Sequence, residues 1–282
     1  MNYSRLFLVC HVAALGLLLR SGPVAAENPR PKRLLLLGQS PDNHPPTTHE
    51  YLPGVAVLEA ILKPIPNLDV RRERADEPWS DGPRKLADAD GCALFLSEGA
   101  AWLNADPRRQ EAFSRLVARG GGVVVLHWAM GTKDAANIES MLRLAGGCHG
   151  GPDRRYAVIE TEWQIAAPKH PILTAIGPLK VRDEFYYRLK FAEPREAIQP
   201  LISVRIEDRE ETVAWAWQRP TGGRSFGFSG LHFHDNWRHE AYRRLVGQAV
   251  LWTLQLPIPA EGIAVDVPEP ILNVNATPAQ AK

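Results

Sequence analysis

Gly120-Gly121-Gly122-Val123-Val124-Val125-Leu126-His127-Trp128 is the stretch on which the fold turns. Three glycines stop whatever helix precedes them. Four apolar residues, three of them β-branched, then read as a short strand buried on both faces. A histidine stands where that strand runs out. Upstream, Asp106-Pro107 has the form of an N-cap followed by a first helical position. A helix from there to about Arg119 turns Phe113, Leu116 and Val117 inward. Helix, glycine stop and buried strand make the later half of a βαβ unit.

The same pattern extends toward the N-terminus. Arg33-Leu34-Leu35-Leu36-Leu37-Gly38 is a second apolar run closed by glycine, and Gln39 to Pro53 is a polar loop. Gly54 to Leu62 carries Val55, Leu58, Ile61 and Leu62 at helical spacing. Leu68-Asp69-Val70 and Cys92 to Leu96 supply two more strands. Repeated βα units require right-handed crossovers, so the first half predicts an open, mainly parallel sheet with helices on both faces. The second half is richer in β-hairpins. Tyr156 to Glu160, Leu201 to Ile206, Thr212 to Trp217 and Arg224 to Ser229 read as strands, the last two joined by Arg219-Pro220-Thr221-Gly222-Gly223. A final helix spans about His239 to Leu254. Residues 257–282, with Pro257, Pro259, Pro268, Pro270 and Pro278, read as a Pro-rich tail, extended or disordered, with a simple spacer as the expectation.

With 282 residues, 45% hydrophobic and 23% charged, the chain is an ordinary globular composition and not a disordered, collagen-like or multi-span membrane one. Lys plus Arg is 33 and Asp plus Glu is 32, which gives no bulk charge for nucleic acid to grip. Residues 1–26 read as a secretory signal peptide: Arg5, the apolar run Leu6 to Leu19, the break Ser21-Gly22-Pro23 and the small residues Val24-Ala25-Ala26. The expectation is an exported, periplasmic or extracellular protein with one α/β domain over 27–256 and no stable membrane insertion once the leader is cleaved. Cys92, in an apolar strand, is expected to be buried and inert. Pairing with Cys148 is the alternative that an oxidising compartment leaves open.

In open α/β sheets ligands bind beyond the carboxyl ends of the strands, so the residues there carry the most information. They are His44 and Thr48-His49-Glu50, then His127 and Trp128, then Ser229-Gly230-Leu231-His232-Phe233-His234-Asp235-Asn236-Trp237, with Arg182-Asp183-Glu184-Phe185-Tyr186-Tyr187 between. His149 lies in a loop that either reaches this edge or does not. His232 and His234, one residue apart, share a face if the segment is a strand. With His49 and His127 they form a candidate set for a divalent metal, zinc first and manganese second. The alternative is a set of hydrogen-bonding imidazoles lining a polar cleft. Glu184, His127 and Asp183 are the candidates for proton transfer. Trp128, Tyr187, Asn236, Trp237 and Glu50 are the candidates for holding a sugar. The chain contains no P-loop, no G-x-G-x-x-G and no G-x-S-x-G.

These segments, in this order, resemble the ThuA-like, or trehalose-utilisation, family. The matching pieces are Thr48-His49-Glu50-Tyr51-Leu52-Pro53-Gly54, Gly120 to Ala129, His170-Pro171-Ile172, Asp183-Glu184-Phe185-Tyr186-Tyr187 and Gly223 to Trp237, together covering about residues 32–256. His-Phe-His-Asp-Asn-Trp is most similar to exported bacterial members that carry a leader. The resemblance implies a flavodoxin-like layered fold of the class I glutamine amidotransferase-like superfamily. In those amidotransferases a cysteine nucleophile follows a strand; here His127 holds the equivalent place, so the resemblance does not extend to amidotransferase chemistry. It implies instead work on a disaccharide or keto-sugar derivative, as a hydrolase, lyase or isomerase, and strengthens the metal reading. A non-catalytic sugar-binding or scaffold module, or a subunit of a sugar oxidoreductase system, is the competing expectation. The expected partner is a small carbohydrate, with a homo-oligomer as a further expectation.

Overall fold

Leu34 and Leu36 pack on one side of the central sheet, Leu35 and Leu37 on the other, and all four are buried. Burial on both faces is why the run has no polar member, and each such leucine contributes about 1.5–3 kcal/mol. The computed structural model describes residues 30–274. In its first half, β1 (Lys32–Gly38), α1 (Tyr51–Leu62), β2 (Leu68–Arg74), α2 (Gly82–Asp88) and β3 (Gly91–Phe95) precede α3 (Gly99–Asn104), α4 (Pro107–Ala118) and β4 (Gly122–Leu126). Then come β5 (Gly131–Thr132), α5 (Ile138–Ala145), β6 (Gly147–Gly150), β7 (Arg155–Glu162), β8 (Gln164–Ile165), β9 (Lys180–Tyr187) and β10 (Lys190–Phe191). Last are β11 (Ile198–Ile206), β12 (Arg209–Gln218), β13 (Arg224–Phe228), α6 (Glu240–Thr253) and α7 (Glu269–Leu272).

The large sheet runs β2-β1-β3-β4-β13-β12-β11-β8. The first five strands are parallel, and β12, β11 and β8 extend it antiparallel. The order 2-1-3-4 followed by a fifth parallel strand is that of the flavodoxin-like fold, with its topological switch between β1 and β3. The expected parallel first half and hairpin-rich second half are both present. α1 and α6 cover one face, α2 to α5 the other. Asp106 caps α4 by accepting from the Arg108 amide at 2.8 Å, and Gly120 ends that helix region at φ +79°, a conformation that favours glycine.

β7 and β9 form a separate antiparallel pair. It carries the Asp183-Glu184 segment, which the sequence did not place in a strand's interior.

Residues 257–272 are not a spacer. Ile263, Val265 and Leu272 are buried in the same core as α1 and α6. Arg243 Nε donates to the Val265 carbonyl at 2.6 Å, and the Ile263 amide donates to Gln248 Oε1 at 3.2 Å. The physical reason is period-two spacing: Ile263 and Val265 point inward from an extended segment. Residues 1–26 and the end of the tail lie outside the described residues. No helix among the described residues is long and apolar enough to cross a membrane.

Candidate functional site

β4 ends at Leu126, and the chain turns sharply at His127, whose φ is +49°. A non-glycine residue pays for this conformation in strain, and such residues concentrate at functional sites. Gly99 lets the turn sit where it does, because a Cβ there would lie 2.1 Å from the Ala129 carbonyl oxygen. Four other segments bring side chains to the same edge. The loop after β1 contributes Asp42, His44 and His49; the end of β3 contributes Ser97; the loop after β13 contributes Ser229 and His232; β9 contributes Glu184 and Tyr186. The two long loops are tied together, the His49 amide donating to the His232 carbonyl at 3.0 Å and the His234 amide to the Thr47 carbonyl at 2.8 Å.

The tautomers follow from the partners. His127 Nδ1 lies 2.8 Å from the Ser229 carbonyl oxygen, which can only accept, so Nδ1 carries the hydrogen. His49 Nδ1 lies 3.0 Å from Asp42 Oδ2 and donates to it. Tyr51, 2.8 Å from the same nitrogen, gives its own hydrogen to Asp42 at 2.6 Å. Both Nε2 atoms are therefore left with lone pairs, and they face each other at 3.0 Å. His232 Nδ1 is 3.3 Å from His127 Nε2. Glu184 Oε1 is 3.6 Å from His232 Nδ1 and 3.8 Å from His127 Nε2. All four ligand atoms lie within 4.8 Å of one another. Zinc–nitrogen bonds of 2.0–2.1 Å in a tetrahedron put nitrogens roughly 3.3 Å apart, so the donor set has the dimensions of a metal site.

A proton is a poor substitute for a cation here. Burial pushes His127 well below the usual imidazole range, and the neighbouring His49 and His232 push it the same way. Burial likewise lowers His49 against the pull of Asp42, and takes His232 down to about 3. Asp42 goes the other way. Burial alone would raise it, but hydrogen bonds from His49, Tyr51 and Ser97 hold it well below the carboxylate range. Glu184, whose side chain is 11% exposed, is raised to about 7 by burial and by the charge of Asp183. Behind the cluster, Tyr186 stacks on His127 at 4.6 Å and on His149 at 3.9 Å, and its hydroxyl lies 3.0 Å from His127 Nε2. On the solvent side the half-exposed His44 stacks on His49 at 3.6 Å.

The family model for ThuA, described as trehalose utilisation, matches residues 42–253. The chain belongs to the ThuA family. Its fold is that of a ThuA-like protein from Parabacteroides merdae, with a TM-score of 0.60, 16% identity, and 85% of this chain and 94% of that one covered. A ThuA-like protein from Bacteroides uniformis gives a TM-score of 0.61 at 13% identity, over 82% of this chain and 95% of that one. No curated protein matches the chain.

Within this ThuA fold, His49, His127, His232 and Glu184 converge as the sequence suggested, and His234 does not. The chain leaves its strand at Phe228, passes Leu231 at φ +78°, and enters a 3-10 turn at His234. The two histidines therefore lose the alternation of a strand, and the His234 ring meets the backbone at Ile271. Asp183 is fully buried and accepts from the Leu231, His232 and Glu184 amides and the Tyr242 hydroxyl. It holds the His232 loop in place and has no route to a substrate.

None of the five residues proposed to hold a sugar faces the cluster as an open platform. Trp128 packs edge-on against His149 and Tyr186. Trp237 is in the core against Phe95 and Gly54. Asn236 donates to the Arg182 carbonyl at 3.2 Å. Glu50 accepts from the Thr47 amide at 3.0 Å within its own loop. Tyr187 bonds Glu207, on the opposite side of β9 from Glu184. Its neighbour Tyr186 is the one at the site, because alternation pairs it with Glu184. Asp42 and Ser97 carried no motif, and Tyr51, although inside the matching piece Thr48 to Gly54, was given no role. His149 does reach the cluster's rear wall. Cys92 and Cys148 are buried and unpaired, with thiols pushed to about 12 by burial.

Proposed function

We propose that this ThuA chain is an exported carbohydrate-processing enzyme that holds a divalent metal on His49, His127 and His232, with Glu184 at its side. The single observation that carries this reading is the pair of Nε2 atoms, stripped of hydrogen by the bonds their Nδ1 atoms make, that face each other at 3.0 Å in a buried site, with the Tyr186 hydroxyl 3.0 Å from the one on His127. Two lone pairs repel at that distance, and a metal cation turns the repulsion into coordination. A donor set of three imidazoles and a carboxylate suits zinc first and manganese second. When bound, such an ion supplies Lewis acidity or an activated water.

The remaining chemistry belongs to the chain. Glu184, whose carboxyl burial and Asp183 push up, stands beside His127 and His232 as the group placed to take a proton and return it. Tyr186 offers a hydroxyl to the same spot, 3.0 Å from His127 Nε2, and burial pushes its pKa well above the usual phenol range, so it stays protonated there. His44, the most exposed member of the cluster, marks its solvent side. Family membership supports a disaccharide or keto-sugar derivative as substrate, and the leader-like residues 1–26 support export.

The test is product formation, read by mass spectrometry, from a panel of disaccharides and their keto derivatives with the metal-loaded protein. Turnover that falls about 10²–10⁴-fold in Glu184→Gln is the expected result. Saturable sugar binding without any product would overturn the enzyme reading in favour of a binding module.

A further inference from the structure

Asp42 gathers more hydrogen bonds than any motif would have suggested. Its Oδ2 accepts from His49 Nδ1 at 3.0 Å, the Tyr51 hydroxyl at 2.6 Å and the Ser97 hydroxyl at 2.8 Å. Its Oδ1 accepts from His44 Nδ1 at 2.6 Å. These donors come from three places in the chain: the loop after β1, the start of α1 and the end of β3, on either side of the sheet's switch point. His49 itself sits at φ +53°, so its backbone needs to be held. The carboxylate touches neither Glu184 nor the facing Nε2 atoms; it acts on the centre only through His49.

We propose that Asp42 is the positioning residue of the centre: it locks His49 in the Nδ1–H tautomer and so aims the Nε2 lone pair at the ligand position. Without a carboxylate, nothing in the site forces that choice. An amide at position 42 can donate its N–H to Nδ1, move the imidazole hydrogen to Nε2, and put a hydrogen where a lone pair is needed. Tyr51 and Ser97 serve the same end indirectly, by occupying Asp42 Oδ2 from the sides so that the carboxylate cannot rotate away. Carboxylate–imidazole–metal arrangements of this kind typically change metal affinity by about 10–100-fold when the carboxylate is lost. The inference rests on the metal reading above, but the tautomer can be measured without any metal.

The experiment uses the full chain, stripped with chelator, and reads the ring ¹⁵N shifts of His49. The wild type is expected to show Nδ1–H, and Asp42→Asn to show Nε2–H. Zinc titration by calorimetry should then give an affinity about 10–100-fold lower for Asp42→Asn, with Asp42→Glu recovering most of it. Tyr51→Phe, which leaves the carboxylate in place, should keep the Nδ1–H tautomer. An Nε2–H tautomer in the wild type overturns the proposal with no variant needed. So does an Asp42→Asn protein that keeps wild-type zinc affinity. If the wild type itself takes up no zinc, the metal reading fails, while the tautomer comparison still decides the role of Asp42.

Discussion

Removing the His232 imidazole should empty the centre, and removing the His234 imidazole should not. His232→Ala takes away a nitrogen 3.3 Å from His127 Nε2, whereas His234 is buried against the C-terminal segment. Elemental analysis of the two purified variants checks this: a metal content near zero for the first and unchanged for the second. His234→Ala should instead lower stability, by about 1–3 kcal/mol in denaturant unfolding. At this scale the sequence was partly legible. Histidines at strand ends announce themselves, because strand ends in a parallel sheet all point to one edge. Asp42 did not, since a single aspartate in a polar loop looks like any turn residue. The choice of Tyr187 over Tyr186 failed for want of a register. Once β9 is known to run through Glu184, alternation selects Tyr186.

The strand-to-turn junctions are the elements that convert a sheet into a site. His49, His127 and Leu231 all sit at positive φ, at +53°, +49° and +78°, each beside the cluster. Gly99 is the support for the His127 turn, with no room for a side chain against Ala129. Gly99→Ala should therefore push the 127–130 turn away from the start of α3 and misplace His127. The expected result is a loss of about 1–3 kcal/mol in stability together with weaker zinc binding, measured on the same preparation. Unchanged zinc affinity would mean the turn is held elsewhere. The buried parallel strands and the β12–β13 hairpin were readable, because continuous apolar runs and a Pro/Gly loop leave little choice. β9 was not, because Asp183 and Glu184 disguise a buried strand as a polar segment. The H-x-H spacing misled for the opposite reason: it was read with a strand's period where the chain makes a 3-10 turn.

Over the whole molecule, the buried imidazoles set how stability depends on pH. Burial lowers His149 and His232 to about 3 and His234 to about 4, below the ordinary imidazole value of about 6.5. Between about pH 6.5 and 4 the unfolded chain binds protons that the folded chain refuses, so these groups cost stability as the pH falls. Asp183 and Glu184 oppose this. Their raised values, about 6 and about 7, favour the folded state at low pH and lose that contribution as the pH rises. The lowered histidines outnumber them, so the metal-free protein should be less stable at pH 5 than at pH 7.5 in denaturant titrations. Equal or greater stability at pH 5 would mean that the carboxylates dominate. The overall architecture was legible from hydrophobic runs alone. The packing of residues 257–272 was not, because prolines masked the inward alternation of Ile263 and Val265. What the whole fold achieves is to bring three imidazoles and a carboxylate, from distant parts of the chain, to one buried point. The most direct test of that claim is elemental analysis of the protein purified without chelator and without a histidine tag. About one zinc or manganese per chain, lost on His127→Ala, is the predicted result. No metal, even after soaking in excess, would contradict the account.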